Sequence, residues 1–355
     1  KKTKNPISTF TIGYDESNFN EASYAKNIAS YLGTNHREKI VSPQEAIEVI
    51  DHLSFIYDEP FADSSQIPTY LVSKLAREHV TVSLSGDGAD EIFGGYNRYL
   101  WTDSIASMPK SLRKPISSIL TMLTPSQWDL LFKYLCRLLP KKLQLKMPGD
   151  RAHKLAFIIQ YSNTKDIYFS LTSIWGKKDK IMLNDENPYH YDQIWDHISN
   201  ISSDKFKMMI VDSLTYLTDD ILCKVDRAAM SVSLETRAPY LDKNLIEFAA
   251  SLPMDYKIRN GESKWILRQL LNNYLPSDLF DRPKMGFGVP IDSWLRGPLK
   301  PWAESLINES KIKSDGYINY NVVKQKFDEH LSGKRNWQYM LWNVLIFQSW
   351  INQER

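Results

Sequence analysis

Residues 80–96 have the sequence VTVSLSGDGADEIFGGY, which places a short apolar strand directly before a turn rich in glycine and acidic residues. In open α/β sheets, ligands bind beyond the carboxyl ends of the strands. Gly86 and Gly88 would let a ligand approach the backbone closely, and Asp87 and Asp90 supply the oxygen ligands that Mg²⁺ takes beside phosphates. The stretch therefore predicts a nucleotide and metal site. A polar turn with solvated acids is the alternative, because Gly-Asp pairs are common in turns.

Strands and helices alternate on the N-terminal side of this stretch. β-branched and apolar residues predict strands at 8–14, 37–41 and 80–84, the last of them buried. Apolar residues at helical spacing predict helices at 21–32, 46–56 and 67–77. Alternation of this kind predicts an α/β fold in which a parallel sheet is flanked by helices.

The pattern changes near Tyr99. Segments broken by prolines continue to about Ile201 with helical and not strand periodicity, and residues 204–355 are also mainly helical in pattern. We therefore predict three parts: an α/β region at 1–98, a helical insertion at 99–203, and a helical C-terminal part at 204–355.

Composition narrows the class of protein. The 355 residues contain 44 Lys and Arg against 42 Asp and Glu, so no strong positive field attracts nucleic acid. The two cysteines, Cys136 and Cys223, are far apart, which argues against a zinc site and a disulfide scaffold. A reducing cytoplasm is the expected location. No apolar run is long enough to span a bilayer, so we expect neither nucleic acid nor a membrane as a partner.

Two further motifs carry groups suited to phosphate or metal chemistry. Residues 58–65 have the sequence DEPFADSS, in which Asp63 and the two serines are expected to cap the helix that begins near Ile67. Asp58 is less easily explained as a cap. Residues 224–230 have the sequence KVDRAAM, in which Lys224 and Arg227 are candidates for phosphate contact, with a solvated face as the alternative.

The C-terminal part contributes two more motifs. Residues 234–242, LETRAPYLD, contain charged side chains that we expect to form an interior ion-pair network. Residues 282–290, RPKMGFGVP, place Lys284 in a loop punctuated by glycine and proline, where its ammonium could reach a developing phosphate anion. A solvated surface lysine is the alternative there.

Together and in chain order, DEPFADSSQIP, SGDGADEIFGGY, LETRAPYLD and RPKMGFGVP resemble the C-terminal synthetase domain of the asparagine synthetase B family. The resemblance extends from about Ser8 to at least Leu299. That family belongs to the N-type ATP pyrophosphatases. The resemblance implies an adenine nucleotide alpha-hydrolase-like fold, which is a parallel sheet flanked by helices and extended by a mainly helical C-terminal region.

The resemblance also implies a reaction in two steps, with ATP and Mg²⁺ as cofactors. The β-carboxylate of aspartate attacks the α-phosphate of ATP, which gives β-aspartyl-AMP and pyrophosphate. Ammonia, derived from glutamine in the full-length parent, then displaces AMP and leaves asparagine. Activation is needed because a carboxylate is a poor acyl donor, and the protein has to align the reactants and neutralise phosphate charge.

Roles for individual residues follow from the same resemblance. Asp87 corresponds to the acidic position linked to formation of the aspartyl-adenylate, and Asp90 to the Mg²⁺-binding aspartate, with Asp87 beside it as a second candidate ligand. Lys284 corresponds to the lysine that stabilises charge during adenylation, and Arg227 falls where relatives carry a basic residue near the phosphates. The implied nucleotide-binding residues are Ile12, through its backbone to adenine, Ser85, Gly86 and Glu21.

One part of the family pattern does not occur in the sequence. The resemblance implies a pyrophosphate loop of the form Ser-Gly-Gly-x-Asp-Ser on a strand before Ser8, and an N-terminal glutaminase domain as a partner in the parent. Neither occurs in these 355 residues, which begin at Lys1 without an initiator Met. We therefore expect an N-terminally truncated sheet, no activity by the isolated chain, and self-association through the exposed strand edge, in its simplest form a homodimer.

Two other functions are compatible with the motifs. One keeps the adenylation and changes the carboxylate, as in β-lactam synthetases and amidotransferases of surface-polysaccharide or antibiotic pathways. The other is a non-catalytic pseudoenzyme domain retained for assembly. Aspartate-dependent pyrophosphate exchange by the full-length parent separates the first from asparagine synthesis, and the gene sequence upstream of Lys1 tests the second.

Overall fold

The computed structural model of the chain describes residues 5–14, 20–135, 148–176, 179–184, 190–281 and 288–353. The chain divides into two compact units. Unit 1 comprises Lys1–Gly95, Met209–Leu306 and Trp342–Arg355, and unit 2 comprises Tyr96–Met208 and Ile307–Leu341. The three-part division expected from the sequence stays a prediction.

Unit 1 begins with a parallel β-α-β element. Strand β1 (Ser8–Tyr14) pairs in parallel with β2 (Asn35–Val41), and helix α1 (Ala22–Leu32) connects them. Helix α1 ends at Gly33, whose φ of +66° lies in the left-handed region that favours glycine. The strand predicted at 8–14 is confirmed, and the strand predicted at 37–41 extends by two residues towards the N-terminus.

A second parallel pair lies further along the chain in the same unit. Strand β3 (Val82–Leu84) pairs with β4 (Glu235–Arg237). The helices α2 (Pro43–Tyr57) and α3 (Gln66–Arg77) precede β3, and α12 (Cys223–Met230) precedes β4. Helix α2 begins in a capping box, in which Ser42 and Glu45 each accept a hydrogen bond from the other's backbone. The fold is thus a mostly helical α/β arrangement with small parallel sheets.

Strand β3 differs from its prediction in burial. Val82 is 40% exposed and Leu84 is 73% exposed, although the apolar pattern predicted a buried strand. The physical reason is that the two parallel pairs form separate two-stranded sheets within the described residues, so β4 alone pairs with β3 there. An apolar strand is buried on both faces only when neighbouring strands and helices cover it.

The remaining regular structure of unit 1 is mainly helical. A short antiparallel pair joins β5 (Ile258–Arg259) to β6 (Glu262–Ser263), and a π-helix spans Tyr216–Leu222 immediately before α12. The other helices of this unit, of which α11 and α20 cross its boundary, are α4 (Ala89–Phe93), α11 (Asp204–Leu214), α13 (Lys243–Ser251), α14 (Met254–Lys257), α15 (Trp265–Asn272), α16 (Ile291–Arg296), α17 (Lys300–Leu306) and α20 (Gln338–Gln353).

The described part of unit 2 is built from helices around an isoleucine-rich core. Ile105, Ile158, Ile159 and Ile167 are buried together in it. Its helices are α5 (Asn97–Ala106), α6 (Lys110–Met122), α7 (Pro125–Leu135), α8 (Pro148–Ile158), α9 (Thr164–Thr172), α10 (His190–His197), α18 (Glu309–Asp315) and α19 (Tyr320–Leu331). Among the helices in the described ranges, none is both long enough and apolar enough to cross a bilayer.

Candidate active site

The acidic turn, residues 85–95, begins where β3 ends. The backbone N–H of Ser85 donates to the carbonyl of Arg237 at 2.9 Å, which continues the β3–β4 ladder by one bond. Gly86 follows in the open: a Cβ added there would have no heavy atom within 4 Å. Gly88 is the opposite case, because its φ is +87° and an added Cβ would overlap with the side chain of Leu241. The turn therefore leaves its first glycine in open space and packs its second glycine against the protein.

The second half of the turn brings Asp90 against Gly94 and Gly95. Helix α4 ends after one short turn at Gly94, which has a φ of +70°, and the N–H of Gly95 donates to the Asp90 carbonyl at 2.7 Å. The Asp90 carboxylate lies over Gly95 so closely that any side chain at that position would overlap with it. Glycine at position 95 is thus required for the observed position of the Asp90 carboxylate.

A cation from a distant part of the chain meets Asp90. Lys264 Nζ lies 3.0 Å from Asp90 Oδ1, and both side chains are partly exposed. Lys264 is the residue before α15 and has a left-handed backbone with φ of +52°. Sequence reasoning missed this lysine, since a single lysine in Asn260-Gly261-Glu262-Ser263-Lys264 carries no local signal of an acidic partner.

The other predicted nucleotide contacts, Ile12 and Glu21, lie on either side of the connection between β1 and α1. Ile12 is buried in β1, with 3% of its surface exposed, and pairs with Lys39 of β2. Glu21 precedes α1, and its carbonyl accepts the N–H groups of Tyr24 and Ala25 at 3.1 Å each. Both residues belong to unit 1, as do Ser85, Gly86, Asp87 and Asp90. Their roles toward a nucleotide stay predictions.

Lys224 has two acidic partners and little exposure to solvent. Its Nζ lies 2.5 Å from Asp63 Oδ2 and 3.4 Å from Asp220 Oδ1, and its side chain is 9% exposed. Burial alone would raise the pKa of Asp63, but the ammonium and two hydrogen bonds from Ser65 together lower it. Burial and the neighbouring Asp63 carboxylate raise the pKa of Asp220 to about 7. Lys224 therefore serves as an internal counter-ion for two carboxyl groups.

Arg227 lies one helical turn beyond Lys224 in α12. Its guanidinium donates to the backbone carbonyl of Tyr57, the last residue of α2. The Tyr57 hydroxyl in turn donates to the Lys224 carbonyl at 3.2 Å, and burial raises its pKa above the ordinary value. These bonds join α2 to α12. The predicted role of Arg227 near phosphates stays a prediction.

Two expectations about polar motifs are wrong. Ser65 is the residue before α3 but makes no side-chain cap; its hydroxyl and its N–H both donate to the Asp63 carboxylate, a charged acceptor that holds the serine in the loop before the helix. Glu235 and Arg237 do form an ion pair, at 2.6 Å, but it is exposed and not interior, because β4 lies next to the uncovered β3. Asp242 caps α13 by accepting two backbone N–H groups.

Lys284 lies outside the described residues, so its position relative to the acidic turn stays a prediction. In the described ranges, no three side chains of His, Cys, Asp or Glu come close enough to hold a metal ion among themselves. Mg²⁺ bound to a nucleotide needs only one or two protein carboxylates in addition to phosphate oxygens and water. Asp90, which already pairs with a cation, and Asp87 fit that requirement by their chemistry.

Comparison with known proteins places these features in a family. The sequence model of the asparagine synthase family matches residues 1–352. The chain is 34% identical over 356 residues to asparagine synthetase [glutamine-hydrolyzing] 1 of Bacillus subtilis, which covers 98% of the chain and 53% of that protein. It is 32% identical over 354 residues to a putative asparagine synthetase [glutamine-hydrolyzing] of Mycobacterium bovis, which covers 96% of the chain and 50% of that protein.

A more distant relative carries a different name. The chain is 20% identical over 342 residues to the amidase chry2 of Gibberella zeae, which covers 90% of the chain and 49% of that protein. The chain thus spans about half the length of the curated relatives it matches.

Proposed function

The chain belongs to the asparagine synthase family, a family of carbon–nitrogen ligases, and on that premise we propose that the whole protein makes asparagine from aspartate, ATP and a nitrogen donor. Ammonia is the direct donor, and glutamine supplies it through an N-terminal glutaminase domain of the whole protein. The relatives named glutamine-hydrolyzing support this assignment of the donor.

The proposed chemistry proceeds through an acyl-adenylate. One oxygen of the aspartate β-carboxylate attacks the α-phosphorus of ATP, and the bond to the β-phosphate breaks, so pyrophosphate leaves. Ammonia then attacks the acyl carbon, the bond to the adenylate oxygen breaks, AMP leaves, and the amide nitrogen loses a proton. Both steps build negative charge on phosphate oxygens, so fixed cations and backbone donors lower the barriers.

Each predicted residue has a place in this scheme. The backbone of Ile12 would contact adenine, and Ser85 and Gly86 would receive the nucleotide at the start of the acidic turn, with Glu21 nearby. Asp87 would act in forming the adenylate. Asp90, with Asp87, would hold Mg²⁺, which neutralises phosphate charge when bound. The cationic side chains assigned to the phosphates are Lys284 and Arg227.

One observation carries the proposal. The acidic turn follows directly from β3, presents Gly86 in open space with Asp87 as the next residue, and fixes Asp90 over Gly95 beside the Lys264 ammonium. A strand end with an open glycine and partly exposed carboxylates is suited to a metal-bound phosphate. The two parallel strand pairs support a further proposal, that the fold is of the adenine nucleotide alpha-hydrolase type.

Isotope exchange between pyrophosphate and ATP tests the function. The whole protein is expected to exchange labelled pyrophosphate into ATP only when aspartate and Mg²⁺ are present, because exchange needs a reversible adenylation. The isolated 355-residue chain contains no Ser-Gly-Gly-x-Asp-Ser run, and we expect it to show little exchange. Aspartate-driven exchange by the isolated chain at the rate of the whole protein would contradict that expectation.

A second candidate keeps the adenylation and changes the carboxylate. The relative named amidase chry2 shows that proteins with other names align over most of this chain. The same exchange assay with other amino acids and β-amino acids separates the two candidates. Exchange driven by another carboxylate but not by aspartate would favour the second candidate.

The remaining proposals concern the setting of the whole protein. The small number of cysteines supports a reducing cytoplasm. Sedimentation of the isolated chain tests the proposed homodimer, and a run that shows only monomer would count against it.

A further inference from the structure

A buried ammonium joins three separate segments of unit 1. Lys224 is in α12, Asp220 is in the π-helix that precedes it, and Asp63 is in the loop between α2 and α3. The Lys224–Asp63 bond connects residues 161 positions apart. Breaking a buried ion pair leaves an uncompensated charge, so this contact fixes the loop relative to α12 more strongly than a surface pair would.

The loop side of this cluster is itself tightly held. Asp63 Oδ1 accepts the Ser65 N–H at 2.9 Å, and Asp63 Oδ2 accepts the Ser65 hydroxyl at 2.7 Å. Gln66, the first residue of α3, is fully buried, and its side-chain N–H donates to the Phe61 carbonyl at 3.0 Å. Lys224 is therefore bonded to a loop that is itself held against the start of α3.

The order of helices and strands places the cluster toward the end of the strands that carries the acidic turn. Ala76 near the end of α3 and Ala229 near the end of α12 pack together with Leu234, the residue before β4. These helix ends thus lie at the amino end of the β3–β4 pair. Each helix is followed closely by its strand and runs back along the sheet, so the starts of α3 and α12 lie toward the carboxyl ends of β3 and β4. Ser85 and Gly86 follow β3 at that same end.

The charges of the cluster do not balance when all of its groups are ionised. Two carboxylates face one ammonium, and the pKa of Asp220 is raised to about 7, so near neutral pH this carboxyl group exchanges a proton. Of the other titratable groups around the cluster, Tyr57 from α2 and Cys223 from α12 interact with its carboxyl groups, and Glu59 from the loop and Arg227 from α12 act on Cys223. The protonation of Asp220 thus sets whether the cluster is neutral or carries one negative charge.

We propose that Lys224 is a positioning residue of the adenylation site. It holds the loop at 58–65 and the start of α12 in the arrangement that adenylation requires of the loops at the carboxyl ends of β3 and β4. Its link to adenylation rests on the proposed function, whereas the hold of Lys224 on the loop at 58–65 rests on geometry alone. Lys224 acts through Asp63 and Asp220 and need not touch the substrate.

The test compares substitutions in the whole protein. Lys224→Met removes the charge and keeps the length of the side chain, Lys224→Arg keeps the charge, and Lys243→Met is the matched control, since Lys243 is 86% exposed. Lys224→Met is expected to lower the kcat of aspartate-dependent pyrophosphate exchange at least about tenfold with a smaller change in the KM for ATP, because misplaced groups slow the chemical step. Lys224→Arg should recover part of the loss. A folded Lys224→Met protein with the kcat of the control would overturn the proposal.

Two further measurements keep the test decisive. If Lys224→Met does not fold, Asp220→Asn decides: it keeps the Lys224–Asp63 pair and should remove a step in the kcat profile between pH 6 and 8, and an unchanged profile overturns the proposal. If the wild-type protein shows no aspartate-dependent exchange, the proposed function fails, and amide hydrogen exchange of residues 58–66 decides. Relative to wild type, protection of these amides should fall in Lys224→Met and not in Lys243→Met. Equal protection in the two variants overturns the proposal that Lys224 holds the loop.

Discussion

Lys264 Nζ lies 3.0 Å from Asp90 Oδ1, so the carboxylate proposed to hold Mg²⁺ already has a cation beside it. The two residues come from the acidic turn and from the start of α15, and Gly95 leaves the space that the carboxylate occupies. A divalent ion at Asp90 would have to share this carboxylate with the lysine or displace it. Metal binding at Asp90 should therefore be seen most easily as a change in this ion pair.

Replacing Asp90 tests the metal proposal directly. Asp90→Asn removes the charge and keeps the shape, so Mn²⁺ used as a probe in the presence of ATP should bind about tenfold or more weakly to the whole protein. Electron paramagnetic resonance measures the free ion. Glu247→Gln is the control, because Glu247 is 66% exposed and pairs with Lys243 at 3.9 Å. Mn²⁺ affinity equal to that of the control would remove Asp90 from the metal site.

Two glycines in the acidic turn should respond differently to the same substitution. Gly88→Ala forces a left-handed φ on alanine and an overlap with Leu241, so it should destabilise unit 1 by about 2 kcal/mol or more. Gly86→Ala meets no atom within 4 Å and should leave the free energy of unfolding nearly unchanged. If Gly86 receives the nucleotide, its alanine variant should still raise the KM for ATP. Denaturant unfolding and exchange kinetics measure the two effects, and an unchanged KM would count against the nucleotide contact.

Some features of the fold and of the site could be predicted from the sequence, and others could not. Local patterns were sufficient for β1, for α1 with its terminal Gly33, and for the order of strand, turn and helix around Ser85. The pairing of Lys224 with Asp63 and that of Lys264 with Asp90 were not predictable, because in each case the two residues lie far apart in the chain. The exposure of Leu84 was missed for a related reason, since an apolar pattern does not say which neighbours cover a strand.

Arg113 is a buried basic residue of unit 2 whose loss should be costly. It is 5% exposed, and its guanidinium donates to backbone carbonyls that follow or end two helices, namely those of Ile105, Ala106, Met108, Ile159 and Tyr161. Arg113→Met would remove the guanidinium donors from these carbonyls and should lower the free energy of unfolding by about 3 kcal/mol. The exposed Lys114→Met is the control. Urea denaturation measures both, and equal midpoints would refute the assignment.

The stability of unit 1 should depend on pH through Asp220. Its pKa is raised to about 7 in the folded protein, above the ordinary value of 3.8, so the folded state binds more protons than the unfolded state between these values. The free energy of unfolding should therefore fall as the pH rises from about 4 to about 7 and level off above that range. Asp220→Asn should remove this contribution, which makes the variant more stable relative to wild type at pH 8 than at pH 5 by about 1 kcal/mol or more. Parallel pH profiles would show that Asp220 titrates normally.

In the proposed reaction a carboxylate oxygen of aspartate becomes bonded to the α-phosphorus of ATP. Aspartate labelled with ¹⁸O in its β-carboxylate, turned over by the whole protein with ATP and a nitrogen donor, follows that oxygen. We expect AMP that carries one ¹⁸O atom, seen by mass spectrometry or by the isotope shift of its phosphorus resonance. Label in orthophosphate, or unlabelled AMP formed together with asparagine, would contradict the proposed reaction.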